Sequence, residues 1–412
     1  MPPKQLELFS VITDVYASSP DEPVLNKELY KKLVDKRCFS KEEMESKEPV
    51  GQSNSNHNLS KRKVRWYQQT LKKMGIIERV NGSKGLWQLT EKQGKELHKA
   101  ASGVKMLAFS TDLGVAIWGE NKSVFASLDE PIALCITSPP YPLKVSRQYG
   151  NPNIQEYIYF ILSSLEPIVR SLIKGGSIVI NFANDIFESG MPSRSLYLEQ
   201  VVLAICEELG LHLMDRIPWV NKSKPPGPTY WTCVNRYQLS AAYEPIYWFT
   251  NDPLSIRADN RRVLEPHSDS HIKLMRQGGE RRNIKYGDGA YHLREKSFSQ
   301  NTPGKIPRNV LERGHSCSDS RAFRHAAKEL HLPTHGAMFP SSIPEFFIKY
   351  LTEPGDLVVD LFSGSGKTGL KAEELGRRWI ISEWILEYIR VSAELFKQKQ
   401  GFVMNPILLD VA

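Results

Sequence analysis

Five consecutive residues, Thr137-Ser138-Pro139-Pro140-Tyr141, close the apolar run IALCI with the ingredients of a rigid acceptor corner. Proline fixes φ and has no N–H, so this corner offers carbonyl oxygens as acceptors from a stiff backbone. An exocyclic amine of a nucleobase is a poor nucleophile because its lone pair is delocalised into the ring. If Ser138 Oγ and the Pro139 carbonyl each accept one of its N–H bonds, the nitrogen is drawn toward a tetrahedral form able to attack a methyl group in line. Tyr141 supplies a ring face on which a base can stack. Taken alone, the motif is equally a strand that ends in a proline-rich turn with Tyr141 in the core.

The second stretch with chemistry in it is LVVDLFSGSGKTGL, residues 357–370. Its SGSGKT portion imitates a phosphate-binding loop, but that pattern requires Gly five residues before the Gly of Gly-Lys-Thr, and Leu361 stands there. A nucleoside-cofactor turn fits better. VVDLF makes a buried strand with Asp360 at its C-terminal end, and Gly364 and Gly366 let a ligand approach the backbone. Glu383 ends the next strand, WIISE, where an acid takes the ribose hydroxyls in a Rossmann-like crevice. Glu120, ending IWGE, is a third acid at a strand end, open to a base amino group or to solvent.

These motifs need a sheet to hold them. VAIWGE, IALCIT, GSIVINF, DRIPWV and YEPIYWF are strand-like, and IQEYIYFILSSLEPIVRSLI is helical. Strands interleaved with helices predict an α/β fold. The expected layout is a unit at 1–100, a catalytic half at 106–250, an irregular recognition region at 251–333 and a cofactor half at 334–412. In the first unit, helices are expected over residues 5–16, 26–36 capped by Asn26, and 60–75 capped by Ser60 and ended by Gly75. Two strands around a Gly-containing turn follow, which is the winged-helix order. Residues 46–58 read as a polar, flexible surface loop, and Trp66, Leu71 and Trp87 as core.

Composition narrows the partners. A formal charge of +8 and a pI near 9.0 suit a polyanion. Five dispersed cysteines predict neither a zinc site nor a disulfide framework, so no metal is expected. No long apolar run and no secretory signal are present, which predicts a cytoplasmic protein without a membrane.

The two motifs together resemble the amino-methyltransferases that act on DNA with S-adenosylmethionine. The catalytic motif precedes the cofactor motif, as in the circularly permuted β group. TSPPY, RQYGN, GSIVINF, YEPIYWF, GKIPRNVLE, HGAMFPSSIPEFFIKYLTEPGDLVVDLFSGSGKTGL and WIISE carry a similarity to the PvuII-type N4-cytosine methyltransferases of restriction-modification systems. The resemblance implies a Rossmann-like sheet and a catalytic corner of Ser138, Pro139, Pro140 and Tyr141. It implies a cofactor site from Asp360, Phe362, Ser363, Gly364, Gly366 and Thr368, with Glu383 on the ribose, Glu120 on the base, and the His335–Pro340 segment, with Phe339, closing the pocket. Duplex DNA is the implied substrate and a cognate restriction endonuclease the implied functional partner. Serine at the head of the motif favours cytosine over its rival, N6 of adenine. C5 chemistry needs a Pro-Cys pair, which the chain lacks. From other classes, a P-loop ATPase and a non-catalytic DNA-binding regulator remain as alternatives.

KKMGIIERVNGSKGLWQLTEKQGKEL resembles the winged-helix domain at the front of Mrr-like restriction proteins. Its third helix carries Lys61, Arg62 and Arg65 for phosphates, and in the recognition region Arg261, Arg262, Arg281, Arg282 and Lys285 are the expected DNA contacts.

Overall fold

The computed structural model describes residues 11–12, 15–16, 23–36, 38–50, 55–73, 77–80, 83, 85–89, 97–100, 103–141, 154–188, 190–221, 224, 227 and 229–405. The chain divides into two units, Met1–Glu96 and Leu97–Ala412.

In the first unit, β1 (Val24–Leu25) leads into α1 (Asn26–Asp35), then α2 (Lys41–Glu45), the hairpin β2 (Glu48–Val50) and β3 (Ser55–His57), α3 (Leu59–Lys73), β4 (Ile77–Arg79) and β5 (Leu86–Leu89). The sheet order is β1-β5-β4, antiparallel throughout. Leu29, Leu33, Val64, Tyr67, Ile77 and Trp87 form its core. Most of the helix expected over 5–16, the end at Gly75 and the side chain of Leu71 lie outside the described residues.

Several local expectations are corrected. Trp66 is 62% exposed rather than core. Asn26 is the first residue of α1, and its side chain accepts a hydrogen bond from Gln68 (2.7 Å) instead of capping. Asn58, not Ser60, caps α3, its Oδ1 accepting from the Lys61 N–H at 2.7 Å. Part of the supposed loop is folded, as the β2–β3 hairpin. Ahead of it, Ser40 and Glu43 form a capping box that starts α2, the Ser-x-x-Glu signature.

The second unit is built on a ten-stranded sheet. Its strands are β6 (Lys105–Ser110), β7 (Gly114–Gly119), β8 (Ile132–Thr137), β9 (Leu172–Asn181), β10 (His212–Val220), β11 (Tyr243–Thr250), β14 (Leu311–Glu312), β15 (Leu357–Asp360), β16 (Arg378–Glu383) and β17 (Val403–Met404); β12 (Ile284–Tyr286) and β13 (Tyr291–Leu293) pair apart as a hairpin. The order is β14-β10-β11-β9-β8-β15-β16-β7-β6-β17, and the five strands β9, β8, β15, β16 and β7 run parallel. Every residue of β8 and β15 is buried, as expected for parallel strands covered on both faces.

Alternation assigns the faces. Leu134, Ile136 and Val358 pack with α9 (Ser342–Leu351), α10 (Lys367–Glu374) and α11 (Leu386–Ser392). Cys135 and Val359 pack with α5 (Ile154–Ser171) and α6 (Tyr197–Glu208) on the other side. The glycine-rich β15–α10–β16 unit inserts between β8 and β7, so the chain leaves neighbouring strands β8 and β15 toward opposite faces. Their C-terminal ends therefore splay into a crevice, the usual place for a ligand in an open α/β sheet. A short helix, α4 (Asn121–Phe125), follows β7, and the 251–333 region is more regular than expected, with α7 (Asp269–Arg276), the β12–β13 hairpin and α8 (Ser318–Glu329).

Trp379 anchors the α9–α11 face. It is buried against Phe109 and Phe396, and its indole N–H donates to Glu373 at 2.6 Å. Trp379→Ala should destabilise this unit by about 3–5 kcal/mol, read as a lower urea midpoint at an unchanged slope; a loss under ~1 kcal/mol would contradict this packing role.

Candidate active site

A cavity of about 370 Å³ occupies the crevice. The end of β8 contributes Ser138, Pro139, Pro140 and Tyr141 to its wall, the turn after β15 contributes Phe362, Ser363 and Gly364, and β16 contributes Glu383. Glu120 enters from the turn after β7, Phe339 and His335 from the segment before α9, and Phe160 from α5. Sequence reasoning missed Phe160, Trp384, Ile385 and Tyr388; as apolar or aromatic residues beside strand ends they carry no signal separable from core packing.

Glu383 is almost fully buried, and its two oxygens take the backbone N–H groups of Gly364 (2.7 Å) and Ile385 (2.8 Å). Burial pushes its pKa up to about 7 against the pull of these donors. Gly364 holds a left-handed φ of 51°, and a Cβ there would stand 3.0 Å from His335 Nε2. Ser363 Oγ is buried without a hydrogen-bond partner.

Three residues expected on the cofactor stand behind the wall instead. Asp360 Oδ1 accepts from Thr137 Oγ1 (2.8 Å) and the Phe362 N–H (3.1 Å), while its Oδ2 accepts from Thr368 Oγ1 (2.6 Å). The carboxylate is thus spent on the fold, and burial raises its pKa to about 6. Gly366 stands at the start of α10 with φ 71° and packs on Ser392. Lys367, the residue that imitates a P-loop lysine, is also buried; its ammonium donates to the Phe339 carbonyl (2.9 Å) and to Ser320, not into the cavity.

At the catalytic corner, Ser138 Oγ and the Tyr141 hydroxyl lie 2.9 Å apart, and Asn181 Nδ2 at the end of β9 donates to that hydroxyl at 3.1 Å. The same amide donates to Glu244 at 3.0 Å, which lies 3.6 Å from Lys224. Sequence reasoning missed Asn181 too. Its one sequence signal is its place at the end of GSIVIN, a strand end like those of Thr137 and Asp360.

The expected DNA contacts divide. Arg62 and Arg65 are exposed on α3, Lys61 lies over the Tyr30 ring at 5.6 Å, and Arg281, Arg282 and Lys285 are exposed on and before β12. Arg261 is exposed but clamped by Asp259. Arg262 is not free for DNA: it pairs with Glu353 at 2.7 Å and donates to the Thr352 and Arg257 carbonyls.

An open, largely parallel sheet with an acceptor corner and a glycine-rich turn at its switch point defines a methyltransferase of the Rossmann-like class. A family model described as DNA methylase matches residues 132–394, and the Mrr N-terminal domain matches residues 7–99. The chain therefore belongs to the DNA methylase family. It is 35% identical over 293 residues to the type II methyltransferase M.PvuII of Proteus hauseri, covering 71% of this chain and 86% of that one. Identity to M.BglII of Bacillus subtilis is 26% over 267 residues, 65% of this chain and 64% of that one. Among solved structures, PvuII DNA methyltransferase (cytosine-N4-specific) matches with a TM-score of 0.56 at 30% identity, over 73% of this chain and 92% of that one.

Glu383 sets a pH dependence. Its folded pKa lies above the ordinary carboxyl value, so its contribution to stability is full below about pH 4 and is lost as pH rises through 7. Glu383→Gln, which removes the charge, should gain stability relative to the natural protein on going from pH 5 to pH 8. A difference between the two that does not change with pH would show that Glu383 does not titrate in this window.

Proposed function

We propose that this DNA methylase transfers the methyl group of S-adenosylmethionine to N4 of a cytosine flipped out of duplex DNA. The observation that carries the reading is one cavity with the Ser138–Tyr141 corner on one wall and Glu383 with the glycine-rich turn on the other. The cofactor fits the residues present. Glu383 lines the cavity with its carboxyl oriented by backbone N–H groups, the orphaned Ser363 Oγ awaits a partner, and Gly364, packed against His335, adds no side chain of its own to the cavity wall. When bound, S-adenosylmethionine supplies an electrophilic sulfonium methyl.

The chain's own residues do the rest. Asn181 donates to the Tyr141 hydroxyl, which turns that hydroxyl's proton toward Ser138 Oγ. Ser138 then keeps one lone pair for the base amine and its own proton for the neighbouring ring nitrogen. The Pro139 carbonyl accepts the second amine N–H, so the nitrogen lone pair is directed at the methyl group. Pro140 holds the corner in place, Tyr141 and Phe160 bound the slot for the base, and Phe339, pinned by Lys367, closes the cofactor side.

Binding to DNA is assigned to two surfaces. Arg62 and Arg65 on α3, in a unit read as a winged helix, neutralise phosphates, and Arg281, Arg282 and Lys285 in the 251–333 region approach the recognition sequence. The similarity to type II methyltransferases supports a role as the modification enzyme of a restriction-modification system, paired with a cognate endonuclease. Among the described residues, no helix is long and apolar enough to cross a membrane.

Ser138→Ala should lower kcat by about 10²–10³-fold while calorimetry shows unchanged S-adenosylmethionine affinity. Mass spectrometry of the modified DNA should find N4-methylcytosine; N6-methyladenine alone would overturn the base assignment. Replacing Arg62 and Arg65 by alanine should flatten the slope of log K against log salt by roughly 0.9 for each phosphate no longer neutralised. An unchanged slope would remove α3 from the DNA interface.

A further inference from the structure

Among the described residues of the segment joining β10 to β11, 221–242, Lys224 is the one that reaches the network around the catalytic corner, and the segment springs from the sheet that holds that corner. Strand β11 runs antiparallel to β9 with Ile246 opposite Asn181, and the Phe182 N–H donates to the Pro245 carbonyl at 3.0 Å. Tyr243 therefore begins β11 just beyond the residue that holds Tyr141. Backbone bonds close the segment at its base, from Asn221 to Ala242 (2.8 Å) and from Ala241 to Gly227 (2.9 Å).

At its tip is a π-helical turn, Tyr230–Val234. The Asn235 N–H returns to the Tyr230 carbonyl, and the Tyr237 and Gln238 N–H groups both return to that of Trp231. Arg236 holds a left-handed φ of 57°, an uncommon state for a residue with a side chain and one that clusters at functional sites. Trp231 is packed from two sides, edge-on by Tyr230 (4.7 Å) and in a stack by Tyr237 (6.3 Å). The fold thus holds a built aromatic cluster, but it does not bury it: Tyr230 is 58% exposed, Tyr237 70% and Leu239 88%. Between Asn221 and Ala242 the sequence has Lys222, Lys224 and Arg236 and no acidic residue. An exposed aromatic cluster in a segment without acidic residues, whose Lys224 joins the Asp185 and Glu244 carboxylates of the network that reaches Tyr141, fits duplex DNA.

We propose that Tyr230 and Tyr237, braced on Trp231, form a wedge that enters the base stack as the target base leaves it. The inference rests on the flipped-base reading of the active site. A side chain that fills the vacated position offsets the lost stacking and holds the base outside the helix. Its value is greatest when the target is paired and falls when the target is already unpaired.

That asymmetry is the test. The target sequence is first read by sequencing DNA, with modified bases identified, from cells expressing the protein. Two oligonucleotide duplexes then carry that sequence, one with the target paired and one with it mismatched. Tyr237→Ala and the double variant Tyr230→Ala/Tyr237→Ala should lose about 5- to 150-fold in kcat/KM per ring on the paired duplex, the range that stacking of one base spans. On the mismatched duplex they should lose several-fold less. Activity equal to the natural protein on both duplexes, or an equal loss on both, overturns the wedge. Should the double variant fold poorly, the single Tyr237→Ala decides, since that ring is mostly in solvent. A natural protein that modifies neither duplex would instead sink the flipped-base reading itself.

Discussion

The active site depends on one buried carboxylate. Asp360 joins the end of β8, through Thr137, to the start of α10, through Thr368, and caps the turn from β15 to α10 through the Phe362 N–H. The bond from Thr137 crosses 223 residues of sequence, so the acceptor corner and the glycine-rich turn, separate in the chain, are locked into one crevice. A carboxylate without water is costly unless its lone pairs are taken; three donors lower the Asp360 pKa, yet burial still holds it above the ordinary carboxyl range, at about 6. The bonds are local and directional, so a shift of either strand end would break at least one of them.

Charge at the crevice follows the same rule. Lys367 is buried, and burial lowers its pKa to about 8, but it is placed to hold the Phe339 carbonyl and Ser320. In a phosphate-binding loop such a lysine would face the ligand. Here it faces the protein, which removes the ATPase alternative on geometry as the missing glycine at Leu361 does on sequence. Glu383 is the buried acid that remains directed at the cavity.

The parallel strands were legible because burial on both faces forces unbroken apolar runs, as in IALCIT and LVVD. The catalytic corner and glycine-rich turn were legible because proline and glycine have few other uses at strand ends. What stayed hidden was partnership. Asp360 and Glu383 look alike in sequence, each an acid at the end of an apolar strand, and only the hydroxyls of Thr137 and Thr368 make the first structural. Arg262 resembles a DNA contact until Glu353, 91 residues away, is placed beside it. Trp66 reads as core because a tryptophan in an amphipathic helix usually is; it lies instead beside Arg62 and Lys63 in a shallow surface pocket on α3.

Saturation of polar groups separates the structural from the reactive more sharply than residue type does. A buried polar atom without a partner is rare, because it forfeits hydration for nothing, so each one asks what it awaits. Both oxygens of Asp360 are engaged by neighbours, and its surroundings are closed. Ser363 Oγ and Asn181 Oδ1 are buried without partners, the first on the glycine-rich side of the crevice and the second beside the Tyr141 hydroxyl. Ser363 lines the cavity on the side assigned to the cofactor, and Asn181 stands behind the lining residue Tyr141 on the side assigned to the base; a third orphan, Asn121 Nδ2, belongs to the lining as well. The fold holds both Ser363 and Asn181 in place with bonds to other atoms of the same segments, so their unmet capacity is fixed in position before any ligand arrives, and a ligand that supplies a donor there loses no free energy in reorganising the site.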